Sequence, residues 1–70
     1  MGENKQLICD KLLETLRITR YYSDLVSLEY KKKGCDEVVI ATFDNGYQKR
    51  VNVSMDSGEA MIRDIVMHIK

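Results

Sequence analysis

Asp44-Asn45-Gly46-Tyr47 centres on an Asn-Gly pair between two β-prone runs, which read as strands over residues 37–44 and 47–55. Asn-Gly in that setting is the strongest short-range signal for a β-hairpin. A two-residue type I′ turn needs positive φ at both central residues, which Asn tolerates and Gly adopts freely. On that reading Asp44 faces Tyr47, Thr42 faces Lys49, Ile40 faces Val51 and Val38 faces Val53. Directly opposed residues share a sheet face. Val38, Ile40, Val51, Val53 and Met55 are therefore expected on one side of the sheet.

Outward from the hairpin, residues 25–31 alternate in the same way. A loop over 32–36 that pairs Lys31 with Glu37 adds Val26, Leu28 and Tyr30 to the apolar face. The opposite face then carries Leu25, Ser27, Glu29 and Lys31, with Val39, Ala41 and Phe43, and with Gln48, Arg50, Asn52 and Ser54. Residues 4–19 read as a helix with Asn4 as N-cap and Ile8, Leu12, Leu16 and Thr19 in one stripe, widened by Cys9 and Leu13. Tyr21-Tyr22-Ser23-Asp24 is the connection. Residues 57–69 read as a second helix, capped by Asp56 or Ser57, with Met61, Ile62, Ile65, Val66 and Ile69 apolar. The expected fold is α+β: a single domain over 1–70 in the order α-β-β-β-α. A three-stranded antiparallel meander carries both helices on one face.

Seventy residues hold one domain with a thin stability margin. Eleven basic and eleven acidic residues cancel, which argues against bulk nucleic acid or an anionic membrane as a dominant partner. Cys9 and Cys35 form no C-x-x-C pair, and His68 is the only histidine, so neither a zinc site nor a base–nucleophile pair is expected. No cofactor, metal or catalytic residue is assigned, and the chain reads as a non-enzyme. Free thiols, no secretion signal and no bilayer-length apolar run point to the cytoplasm. Met1-Gly2 resembles a myristoylation start, but Gln6 stands where Ser or Thr is required.

Once the helices cover one sheet face, nothing in the chain remains for the other. Leu25, Val39, Ala41, Phe43, Gln48, Arg50 and Asn52 are the candidate interaction face, with Leu25 opposite Phe43 and a polar rim of Arg50 and Gln48. An apolar patch with a polar rim marks a contact surface. The expected partner is a protein or a second copy, reached through this face or a strand edge. Duplex DNA read by Arg50, Asn52, Gln48 and Lys31 is the alternative, and Glu29 on the same face counts against it. No membrane and no small molecule is indicated. Lys31-Lys32-Lys33 is compensated by Asp36-Glu37, and Tyr21 and Tyr22 are expected to close the end of the core.

The α-β-β-β-α order resembles the double-stranded RNA-binding domain in topology. That family needs lysines at the start of its last helix, where this chain has Asp56-Ser57-Gly58-Glu59. Charge therefore rejects the reading. Asp44-Asn45-Gly46-Tyr47, Val51-Asn52-Val53, Asp56-Ser57-Gly58 and Ala60-Met61-Ile62 resemble small proteins carried by conjugative transposons and prophages of Gram-positive bacteria. The resemblance covers roughly the last thirty residues. It implies a cytoplasmic accessory role on a mobile element and carries over no activity and no site.

Overall fold

The computed structural model describes residues 4–69, so the Met1-Gly2 start lies outside the described residues. Its elements are α1 (Lys5–Ile18), β1 (Leu25–Lys33), β2 (Asp36–Phe43), β3 (Gln48–Asn52) and α2 (Gly58–His68). The three strands form one antiparallel sheet in the order β1-β2-β3. This is the α-β-β-β-α, α+β fold that the patterning predicts.

Both helices start on side-chain caps. Asn4 Oδ1 accepts from Leu7 N at 3.0 Å, and Ser57 Oγ accepts from Ala60 N at 3.2 Å. Each satisfies an N–H that has no partner within the helix. One contiguous core joins Cys9 and Leu16 of α1, Leu25 and Leu28 of β1, Val39, Ala41 and Phe43 of β2, Val51 and Val53, and Met61, Ile65 and Ile69 of the last segment. Tyr22 closes the end of this core, with its hydroxyl donating to Val66 O at 3.1 Å.

The middle strand is inverted relative to the face assignment made from sequence. Leu25, Val39 and Ala41 are 0% exposed and Phe43 is 4% exposed, so they lie under the helices and are no part of an open interaction face. Val38 and Ile40, expected in the core, lie on the open side with Thr42. Two one-residue shifts explain this. At the β2–β3 hairpin, Phe43 O accepts from Gly46 N at 2.9 Å and Phe43 N donates to Tyr47 O at 2.8 Å. The loop is therefore three residues long, closed by Phe43 and Tyr47 in place of Asp44 and Tyr47. Among its residues only Gly46 has positive φ, at 87°, which excludes type I′ and fits a type I turn followed by a left-handed bulge residue. At the β1–β2 hairpin, Lys33 pairs with Asp36 across Gly34-Cys35, and only Gly34 has positive φ there, the pattern of a two-residue II′ turn. A bulge between Leu25 and Ser27 then restores the predicted Leu25–Phe43 pairing and turns Val26 outward. Because side chains alternate with period two, a slip of one residue exchanges the faces of a strand.

Met55, expected in the core, is 92% exposed because its backbone takes positive φ, at 64°. Glu37 points to the helix side of β2 and is the buried charged residue of the core, gripped by Lys5 of α1.

Phe43→Ala is expected to destabilise by about 3–5 kcal/mol, or to unfold the domain outright, through the cavity it leaves. Val39→Ala is expected to cost more than Ile40→Ala although valine is the smaller side chain. Denaturant titration of the three variants measures the face assignment directly. Gly46→Ala is expected to cost about 1–2 kcal/mol from its left-handed backbone alone. No heavy atom lies within 4 Å of an added Cβ there, so a thermal melt reads conformational strain without a steric clash.

Candidate functional site

The sheet face away from the helices is a three-by-three array. The pairings place Ser27 beside Thr42 and Gln48, Glu29 beside Ile40 and Arg50, and Lys31 beside Val38 and Asn52. The half-buried middle row, Val38-Ile40-Thr42, runs between two polar rows. Gln48 Nε2 donates to Thr42 Oγ1 at 3.2 Å, and Lys31 Nζ lies 3.9 Å from Glu29 Oε1. Gln48, Arg50 and Asn52 therefore stand on the open face as the sequence predicts. The apolar centre between them is Val38 and Ile40, where Leu25, Val39, Ala41 and Phe43 were expected.

The two edges of the sheet are treated differently. On β1, the Gln6 side chain of α1 acts as a stand-in strand: its Oε1 accepts from Tyr30 N at 2.9 Å and its Nε2 donates to Leu28 O at 3.3 Å. Those are two backbone groups that point away from β2 and would otherwise offer themselves to another chain. The sequence gives no cue for this role, because a glutamine in the first turns of a helix has no period or motif that marks it. On β3, Gln48, Arg50 and Asn52 alternate with residues bonded to β2, so their N–H and C=O groups point outward. No helix, strand or side chain among the described residues supplies these groups with a hydrogen-bond partner. Beside this edge, on the helix side, a cavity of about 170 Å³ is lined by Asp24, Phe43, Asn45, Tyr47, Lys49 and Ile69.

The densest polar cluster surrounds Glu37. Its carboxylate accepts from Lys5 Nζ at 2.5 Å, Tyr30 Oη at 2.6 Å and Met55 N at 3.2 Å. The bonds from Lys5 and Tyr30, with that from the Met55 amide, hold its pKa down to about 2. The same bond to Glu37, with burial, pushes Tyr30 up to about 12. A carboxylate pinned in its ionised form and a tyrosine pinned in its neutral form are poor proton carriers near neutrality. The cluster is an anchor between α1, β1 and the segment leading into α2. Asp56 is raised by a hydrogen bond to Asp64 and by burial. Among the described residues no group of three His, Cys, Asp or Glu side chains is placed to hold a metal, and no helix is long and apolar enough to cross a membrane.

Of the other sequence candidates, Tyr21 is exposed and packs edge-on against Tyr22 with ring centroids 4.8 Å apart. Lys32 and Lys33 stand in register with Glu37 and Asp36 across the β1–β2 hairpin, but the Glu37 carboxylate is held by Lys5, and the lysine of this run with an ion pair among the described residues is Lys31, to Glu29. Cys35 is exposed in the turn, and His68 is exposed in the last turn of α2. Comparisons of the chain with protein-family models, with curated proteins and with solved structures gave no match.

The Glu37 cluster sets an acid limit on stability. A folded-state pKa lowered from 4.5 to about 2 means that its contribution is fully present above pH 4.5 and is lost as pH falls toward 2. The melting temperature is expected to fall across that window. Glu37→Gln is expected to melt lower at neutral pH and to show a flatter acid limb, as followed by circular dichroism.

Proposed function

We propose that this protein is a non-enzymatic docking module that accepts an extended segment of a partner protein as a fourth strand along β3. The observation that carries the reading is the unequal treatment of the two sheet edges. Gln6 occupies two outward backbone groups at the middle of β1, the Tyr30 N–H and the Leu28 C=O, whereas those of Gln48, Arg50 and Asn52 stand open. Strand addition obtains affinity from such main-chain groups and specificity from the pockets that receive alternate side chains. Here one alternate set lies beside Lys49 and the cavity at Phe43, Tyr47 and Ile69. The other lies beside Arg50 and the Val38–Ile40 row. Lys49 and Arg50 put a positive charge on each side of the edge. Two copies of β3 side by side would oppose these charges, and an acidic segment would satisfy them.

The test is a titration of the isotopically labelled protein with a synthetic peptide of alternating Glu and Val, with an alternating Lys and Val peptide and duplex DNA as the other arms. The acidic peptide is expected to shift the amide resonances of Gln48, Arg50 and Asn52 and to slow their hydrogen exchange. Arg50→Pro removes an outward N–H that the β2 ladder does not use. It is expected to weaken the acidic peptide at least about tenfold, one lost charge-assisted anchor and one lost main-chain bond. Shifts produced by duplex DNA alone would replace this reading with sheet-mediated DNA binding. No shift at β3 with any probe would remove both.

A further inference from the structure

The outer surface of α1 carries Leu7, Lys11, Glu14 and Ile18. With 3.6 residues per turn these four fall within a sector of about 60°, opposite the buried Cys9 and Leu16. Leu7 is 49% exposed and Ile18 is 86% exposed, so the stripe has an accessible apolar residue at each end. Between them Lys11 and Glu14 form a fully solvated pair, Nζ to Oε2 3.9 Å apart. Beside the stripe, toward α2, a groove of about 440 Å³ is lined by Leu7, Ile8, Lys11, Leu12, Thr15 and Ile62.

This stripe reads the same from both ends in hydrophobicity and reads as its complement in charge: apolar, basic, acidic, apolar. A two-fold axis requires that if residue i meets residue j of the second copy, then j meets i. We infer that α1 pairs antiparallel with α1 of a second copy about a two-fold axis centred between Leu12 and Leu13. That axis sets Leu7 against Ile18 of the second copy and Lys11 against its Glu14, each contact occurring twice. On the flanks, where each side of the stripe meets the same side of the second copy, Asp10 comes to Arg17 and Ile8 to Thr15, which adds no like-charge contact. Rotating one helix by a residue breaks the match, so the register is specified by the charges as well as by the apolar ends. A second copy is favoured over an unrelated partner because the complementarity is internal to the stripe. The contact lies on the helical layer, away from β3, so a dimer of this kind leaves the proposed docking edge open and its test does not depend on that reading. A single helix roughly 20 Å long buries less than a standard interface, which makes this a weak, concentration-dependent dimer.

The experiment is sedimentation equilibrium over a concentration series reaching the millimolar range, on the parent, Lys11→Glu, Glu14→Lys and an equimolar mixture of the two variants. Both substituted positions are exposed, and a thermal melt of each variant checks that it is folded. The parent is expected to dimerise. Each single variant, which sets like charges against each other twice, is expected to dissociate at least about tenfold more readily. The mixture is expected to recover association as a heterodimer, because the wholly acidic stripe of one variant then meets the wholly basic stripe of the other. A parent that stays monomeric throughout, a single variant that dimerises like the parent, or a mixture no tighter than its components would each overturn the inference.

Discussion

The Glu37 carboxylate decides which way the central strand faces. Hydrophobicity alone decides it poorly, since Val38, Ile40 and Thr42 on one side of β2 are nearly as suited to burial as Val39 and Ala41 on the other. In the observed frame Glu37 turns inward and meets Lys5, Tyr30 and the Met55 amide. In the opposite frame it would turn to solvent and leave Lys5, whose side chain is only 16% exposed, without its counter-ion. An unpaired buried charge is far more costly than a misplaced valine. The same three bonds tie α1, β1 and the approach to α2 to one point on β2, so the polar anchor and the apolar core select one arrangement together. Phe43 adds to the choice, because its large ring has no counterpart among the outward residues of the strand.

The elements and their order were legible because each carries its own signal: caps at Asn4 and Ser57, helical stripes, and period-two runs either side of Asp44-Asn45-Gly46. The outer rows of β1 and β3 were legible as well, which is why Gln48, Arg50 and Asn52 stand on the open face. The middle strand is misread from sequence because Asn-Gly serves two different hairpins. In one the pair forms the whole turn; in the other it ends a three-residue loop, with Gly as the bulge. The discriminating cue is Phe43 and Tyr47, two aromatic residues flanking the loop, whose rings lie 5.8 Å apart across the closing pair. A second cue is the spacing of Leu25 and Leu28, three apart in a strand, which period two cannot satisfy without the bulge seen at Val26. Gln6 leaves no trace in the sequence because its role depends on how α1 lies along β1.

These features give the molecule two kinds of outer surface. The sheet contributes an edge on β1 that Gln6 covers at its middle, an uncovered edge on β3 and a mixed face between them. The helical layer contributes an outward stripe on α1 whose charges are complementary to themselves. A chain of 70 residues has little interior to spare, and contacts outside the monomer are a common route by which so small a core is reinforced.

The two thiols sit at opposite extremes of accessibility. Cys9 is 0% exposed in the core under α1, and burial with the neighbouring Asp10 raises its pKa to about 11. Cys35 lies open in the turn between β1 and β2. A thiol reagent therefore reaches Cys35 with no opening of the fold, and Cys9 only when α1 lifts from the sheet. The chain thus carries an internal clock, with Cys35 as its zero and Cys9 timing the release of α1 from the sheet.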